Sequence, residues 1–523
     1  MPAAPLTAHQ RLAALARLAI AAVLGFTSGL PLALSGQAMQ AWLSVEGLDI
    51  ATIGFLSLVG LPYTFKFLWA PLMDRFEPPW LGRRRGWLVI TQLALALALL
   101  AMAATSPTGA TRAFALIAVG VAFLSASQDV VVDAYRTDLL PAHERGMGSS
   151  LYVLGYRLAM ILSGGVTLIW TDAAQGSGWS WPEVYRLMAA LMVVAAVFSA
   201  LALPRVIVPA PPRTLARHDL LGFAALAVAV AVGVVLTDRL GTPTAQWLLG
   251  PLLDGSALTV AMRAKWVDLL ALLLGLAVTV PLAAWAARRA RFETLLEGLH
   301  SYFAQPGAIA FLAFVVLYKL TDAFALSLMT PFLLKVMAFS SAEVGLINKI
   351  VGLWLTIAGA LVGGALMLKL GLWRSLMVFG LLQGVSNLGF MWLALEGKGM
   401  LPGLTVPAFD WGFVKLAQAT PIDGGLLLVV ALENVTSGMG TAAFLAFLMS
   451  LCNHRFTATH YALLSAFASV GRVWVGPLAG VLAETIGWPT FFVIATLLCL
   501  PPLAILVWLR DSVQALDVEA PPT

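Results

Sequence analysis

The chain has 523 residues, of which 60% are hydrophobic and only 11% charged, and its mean hydropathy is +0.91. That composition excludes a soluble globular domain, and continuous apolar runs such as 88–104 exclude the period-two strands of a membrane barrel. The net charge of +5 with a pI near 9.3 therefore reads as basic loops beside a membrane rather than as a nucleic-acid surface.

At about 20 apolar residues per span, hydropathy and breaker residues predict about fourteen transmembrane helices. They fall at 18–44, 51–73, 87–105, 112–136, 147–171, 183–204, 219–238, 266–287, 307–336, 341–369, 375–396, 423–451, 459–485 and 488–509. The first apolar run continues past the length of a signal-peptide core to about Leu43, so it is expected to be a retained helix with no soluble domain before it.

The 51–73 helix carries Lys66 and runs into a short basic connection with Asp74, Arg75, Arg83 and Arg84. The 112–136 helix ends in SASQDVVVDAYRTD, residues 125–138. An isolated charge at such depth costs about 2.5–3.5 kcal/mol, so these acids need partners or water. Asp129, Asp133 and Arg136 have i, i+4, i+7 spacing and share one face. Asp133 and Arg136 read as a structural ion pair near the interface, and Asp138 as a solvated end residue. Gln128 and Asp129 lie deeper, where a functional role and structural pairing both remain open.

Arg157 is about 15 Å along the 147–171 helix, near the midplane. The segment 205–306 contains two further apolar helices, 219–238 and 266–287; Asp219 and Asp238 stand at the ends of the first, and the one acid read as intramembrane, Asp268, stands at a helix start. It offers no ion path, and its helix pair is expected to be dispensable for chemistry. ARFETLLEGLHSYF (290–303) is amphipathic, either on the cytoplasmic surface or as a plain linker.

Lys319 and Asp322 in the 307–336 helix are three residues apart and could neutralise each other. Asn348-Lys349 and Glu433-Asn434 each join a charge to an amide, a combination suited to a polar ligand. In ENVTSGMGT (433–441), close helix packing explains Gly438 and Gly440 but not Glu433. Arg472 completes nine ionisable residues within spans: Lys66, Asp129, Asp133, Arg157, Lys319, Asp322, Lys349, Glu433 and Arg472. Four acids and five bases nearly balance, which favours pairing around a hydrated interior.

TIGFLSLVG near Thr52 resembles EVGLINKIVG near Glu343, and PLMDRF (71–76) resembles ALMLKL (365–370). This weak repeat predicts an all-α membrane protein of two six-helix bundles, 18–204 and 307–509, joined by the 205–306 insert and followed by a 510–523 tail. With the N-terminus inside, 18 of the 31 Lys and Arg residues fall in cytoplasmic segments and eight on the opposite side. That bias places both termini in the cytoplasm. Cys452 and Cys499 provide no disulfide framework, the six histidines form no metal-ligand pair, and no phosphate loop or nucleophile elbow occurs. No cofactor, metal or catalytic group is expected, and the chain does not read as an enzyme.

As a set, GFTSGLPLAL (25–34), TIGFLSLVGLPYTFKFLWAPLMDRF (52–76), GRRRGWL (82–88) and SASQDVVVDAYRTDLLP (125–141) have a family likeness. So do LGYRLAM (154–160), YKLTDAFALS (318–327), VGLINKIVG (344–352) and LCNHRFTATHYALLSAFASVGRVWVGP (451–477). The chain resembles the AmpG-type muropeptide permeases of the major facilitator superfamily. The resemblance implies a monomeric inner-membrane importer that carries anhydro-muropeptides (GlcNAc-anhydroMurNAc peptides) from periplasm to cytoplasm with protons. Such import serves peptidoglycan recycling and β-lactamase induction. The superfamily's loop after its second helix usually reads GxxxDRxGRR; here Ala70 replaces the first glycine and EPPWL intervenes, while Leu368 stands where a second-half acid would fall.

On this reading Lys66, Gln128, Arg157, Lys319, Asn348, Lys349, Glu433, Asn434 and Arg472 bind the anionic ligand. Asp129, Asp322 and Glu433 are the candidates for proton coupling. Asp74, Arg75, Arg83, Arg84, Asp133 and Arg136 form gate or structural pairs. A superfamily transporter for acetyl-CoA or another anionic solute keeps the same fold, and a membrane enzyme acting on cell-wall precursors is the alternative from another class.

Overall fold

The computed structural model describes residues 8–47, 59, 61–171, 179–206, 214–254, 260–326, 328–329, 332–339, 341–347, 351–410, 415–416 and 419–516. Among these, nine helices are long and apolar enough to cross a membrane. Their ends follow local chemistry. Trp181–Leu201 starts with a capping box from Ser180 and Glu183 and Pro182 in its first turn, where a proline loses no hydrogen bond. Asp423 accepts the Leu426 N–H at 2.9 Å and opens Gly424–Ser450. Gly371, at φ 74°, adopts a left-handed conformation that separates two helices within Gly352–Glu396.

Several expected single spans are broken. The described part of 51–73 consists of Leu61–Phe65, a 3-10 turn Lys66–Leu68 and Ala70–Arg75. Pro62 and Pro71 stand at the starts of the two helical pieces, positions that suit a residue without an N–H. Arg145–Met160 continues through a π-helical turn, Ile161–Val166, into Thr167–Thr171. In the insert, Ala216–Leu236 continues through a second π-turn into Thr242–Asp254, a helix the hydropathy reading missed. Val260–Arg289 then runs back, and Glu293–Phe303 leaves it at 118°. The connection after Glu396 pairs Leu404–Val406 with Thr420–Ile422 and Phe409–Asp410 with Lys415–Leu416, both antiparallel.

Packing repeats between the early and late helices. Ala8–Leu34 lies on Arg145–Met160 and Arg83–Ala103 on Trp181–Leu201; correspondingly, Ala308–Leu326 lies on Thr457–Ile486 and Gly352–Glu396 on Trp488–Leu497. Glycine makes the first pair possible: Gly25 and Gly29 face the Tyr152 and Tyr156 backbones, and Gly155 faces the Ala22 carbonyl. Gly438 meets the Thr356 carbonyl as expected, and Gly359 meets that of Val435. Early and late helices touch where Arg145–Met160 meets Gly352–Glu396, and where Thr457–Ile486 meets Thr111–Leu139 and Ala70–Arg75. The polar residues collect along this seam.

Candidate functional site

Near the seam, the Thr111–Leu139 helix turns its polar face inward, burying every residue from Ser125 to Thr137. Gln128 is fully buried and donates from Nε2 to the Thr27 carbonyl at 2.9 Å, while its Oε1 has no protein partner. Asp129, also buried, accepts a hydrogen bond from the Ser28 hydroxyl, which lies 3.3 Å from the Tyr152 hydroxyl. One turn later Asp133 has two cationic neighbours, Arg136 Nη2 at 3.0 Å and Lys66 Nζ at 3.5 Å. The expected Asp133–Arg136 pair is therefore present. Lys66 sits in the 3-10 break, buried rather than extended to an interface.

Arg136 joins early and late helices. Its Nη2 also donates to the Tyr461 hydroxyl, and its guanidinium carbon lies 4.0 Å from the Tyr152 ring centre and 5.2 Å from that of Tyr461. An arginine between two aromatic faces keeps its charge stabilised where water is excluded. Ser28, Tyr152 and Tyr461 were not singled out from sequence, and as ordinary hydroxyl residues they carried no signal of their own.

A second cluster closes one end of the seam. Asp74 accepts hydrogen bonds from the backbone N–H groups of Ala458 (3.2 Å) and Thr459 (2.8 Å) and from the Thr459 hydroxyl (2.7 Å). A carboxylate from the early helices thus satisfies the free N–H groups at the start of Thr457–Ile486, with the helix dipole favouring its charge. Arg84 bridges Asp74 (2.9 Å) and Asp138 (2.8 Å), and Arg83 donates to the Asp74 carbonyl at 2.8 Å. Asp138 is not the solvated end residue expected: it is buried, with Thr457 at 2.8 Å and His454 at 3.0 Å. Ordinary helix-end residues acquire partners more than 300 positions away, which periodicity cannot reveal. Arg75 points elsewhere, donating to Thr214 at 2.7 Å beside Asp219.

Among the late helices, Lys319 is buried with Nζ 3.3 Å from the Thr441 hydroxyl and 5.1 Å from the Phe444 ring centre. Glu433 is buried, and Arg157 is half-buried in the turn before the Ile161–Val166 π-turn, a type of irregularity frequent at functional sites. The Asn434 amide accepts from Thr356 at 2.8 Å and donates to the Val430 carbonyl at 2.9 Å, so it ties two helices together. Asp322 and Arg472 lie on Ala308–Leu326 and Thr457–Ile486, with their side chains outside the described set. Asn348 and Lys349 fall outside the described residues.

Apolar helices around a buried charged seam, closed at one end by hydrogen bonds from late-helix donors to early-helix carboxylates, define a membrane transporter. The Major Facilitator Superfamily profile matches residues 17–422. The anhydromuropeptide permease of Escherichia coli strain K12 is 40% identical over 95% of this chain and 80% of its own length. An uncharacterized protein of Haemophilus influenzae is 31% identical over 95% of each chain. The fold also matches the proton:xylose symporter XylE (TM-score 0.54, 12% identity, 96% of each chain). A bacterial homologue of the iron transporter ferroportin gives a TM-score of 0.55 at 13% identity, covering 95% of this chain and 98% of its own. The chain belongs to the Major Facilitator Superfamily and, within it, to the AmpG-type permeases, and it is a secondary transporter.

Proposed function

We propose that the protein imports anhydro-muropeptides across the bacterial inner membrane with protons, as a monomer, with its termini and its Asp74–Thr459 gate on the cytoplasmic side. The observation that supports this reading best is the buried Asp133–Lys66–Arg136–Tyr461 cluster, which joins early and late helices in a chain so similar to an anhydromuropeptide permease. An anionic sugar-peptide leaving water needs fixed cations, and Lys66, Arg157, Lys319, Lys349 and Arg472 are the bases assigned to supply them. Gln128, Asn348, Glu433 and Asn434 add hydrogen bonds to its amides and hydroxyls. Asp129, with Asp322 and Glu433 as rivals, carries the coupled proton. Rocking of the 18–204 and 307–509 halves about this seam exchanges the open side. Imported fragments then enter peptidoglycan recycling and β-lactamase induction.

The test is uptake of radiolabelled GlcNAc-anhydroMurNAc peptide into membrane vesicles. Accumulation should collapse with a proton uncoupler and be competed by unlabelled muropeptide but not by acetyl-CoA. Competition by acetyl-CoA alone would move the chain to a different substrate, and undiminished uptake with the uncoupler would remove the proton.

A further inference from the structure

The Glu293–Phe303 helix lies across the gate from the early helices to the late ones. At its first turn, Phe292 and Leu295 pack with Leu226 and Ala287 against Leu68 and Leu72. Thr294 gives both its backbone N–H (2.9 Å) and its hydroxyl (2.7 Å) to Asp219, a fully buried carboxylate that also accepts from Thr214. Arg75, from the end of the Ala70–Arg75 helix, donates to that same Thr214. At its other end the helix sits on the late bundle. The Gly298 carbonyl accepts from His460 Nε2 at 2.9 Å, and Ser301 accepts from Asn453 at 3.3 Å. Tyr302 is buried edge-on to the His460 ring, 5.6 Å away. A Cβ on Gly298 would come within 3.1 Å of Thr459, the residue that holds Asp74.

The two seats therefore flank the Asp74–Thr459 bond. Opening the gate parts Asp74 from Thr459, and one helix cannot then keep both seats. At the Asp219 end the helix gives two hydrogen bonds to a buried carboxylate; at the His460 end it has two bonds between neutral groups and one exposed 3.8 Å pair, Glu297–Arg455. Charge-assisted bonds are roughly twice as strong as neutral ones, so the His460 seat gives first. The geometry points to a strap: Glu293–Phe303 stays anchored through Asp219 and leaves His460 each time the cytoplasmic gate opens. Asp219 and His460 are positioning residues for transport, and the insert, through its contacts at the gate, helps set the balance between the two access states. This rests on the alternating-access reading above.

The first measurement needs no substrate. Ala458→Cys, in a chain with Cys452→Ser and Cys499→Ser, is labelled by a membrane-impermeant maleimide in inside-out vesicles. His460→Ala and Asp219→Asn should each raise the labelling rate at least fivefold in protein of unchanged amount and melting temperature. His460→Gln, which keeps a donor for Gly298, should bring it back towards the parent. Glu297→Gln, which removes only the exposed 3.8 Å pair with Arg455, should change it less than twofold. Rates equal to the parent in folded Asp219 and His460 variants overturn the strap.

The second measurement avoids the question of folding. Ser301→Cys with Asn453→Cys, joined by oxidation or a short bifunctional thiol reagent in the same cysteine-free background, fixes the helix to its late seat. The disulfide form should stop uptake of the labelled anhydro-muropeptide, and reductant should restore it; full uptake by the linked protein overturns the strap. If the reduced protein takes up no muropeptide, the substrate assignment fails, and the maleimide rates still decide the strap.

Discussion

Asp129 and Asp133 are one helical turn apart and have different company. Asp133 is committed to Arg136 and Lys66, whereas Asp129 has the neutral hydroxyl of Ser28 as its hydrogen-bond donor. A carboxylate whose hydrogen bond comes from a neutral hydroxyl can change partners or take a proton during rocking without breaking that bond's donor out of an ion pair. Asp129→Asn keeps the size and a hydrogen bond to Ser28 but cannot carry a proton. Downhill exchange should survive while gradient-driven accumulation falls to an inside-to-outside ratio of about one; the assay is vesicle uptake at imposed pH gradients, scaled by the roughly 1.4 kcal/mol that each pH unit supplies. Unchanged accumulation would reject Asp129. Arg157→Ala, Lys319→Ala and Arg472→Ala test the ligand side. A hydrogen bond to a charged group contributes about 1.5–3 kcal/mol, so each should lower uptake about 10- to 100-fold at normal membrane expression. Wild-type uptake in all three would remove them as ligand residues. The i, i+4, i+7 face was legible in the sequence because spacing on one helix is local. The hydroxyls of Ser28 and Tyr461 were not, because they arrive from 101 and 325 residues away.

At the scale of elements, hydropathy located most helices but not their breaks. A run of apolar residues has the same mean hydropathy whether the backbone is α, π or 3-10, so the π-turns at Ile161–Val166 and Thr237–Gly241 left no trace in it. Pro31 and Pro281 fall inside the expected 18–44 and 266–287 spans, and both sit inside helices that continue. Small residues were more informative. Gly155 stands where a Cβ would collide with the Ala22 carbonyl oxygen and come within 2.9 Å of the Phe26 nitrogen. Backbone cannot swing away as a side chain can, so Gly155→Val must push Arg145–Met160 off Ala8–Leu34. Overpacking usually costs about 1–3 kcal/mol, and backbone contact puts this site at or above that range. Monodisperse protein recovered in detergent should fall severalfold for Gly155→Val and hold for Gly120→Ala, where nothing lies within 4 Å. Equal recovery of the two would show that the helices can separate without loss.

For the whole molecule, closure at one end depends on a carboxylate that serves two structures at once. Asp74 pairs with Arg84 on its own side of the seam and satisfies the N-terminus of Thr457–Ile486 on the other. The second half has Leu368 at the position matching Asp74, and Leu368 is exposed, so the repeat supplies no symmetric copy of this bond. The closed state described here is consequently sensitive to one residue. Asp74 accepts three hydrogen bonds across the seam, and a hydrogen bond to a charged group contributes about 1.5–3 kcal/mol. In Asp74→Asn an amide remains to fill the space and accept one hydrogen bond, so a shift of about 3 kcal/mol, near 100-fold in the ratio of the two states, is expected. Spin labels at His143 and Lys369, exposed on opposite sides of the seam, read that ratio directly. In the parent protein the distance distribution should hold one short population, and Asp74→Asn should add a longer one that dominates. Folded Asp74→Asn with the parental distribution would mean that apolar packing at Leu140, Ala458 and Ala462, rather than this carboxylate, holds the gate shut.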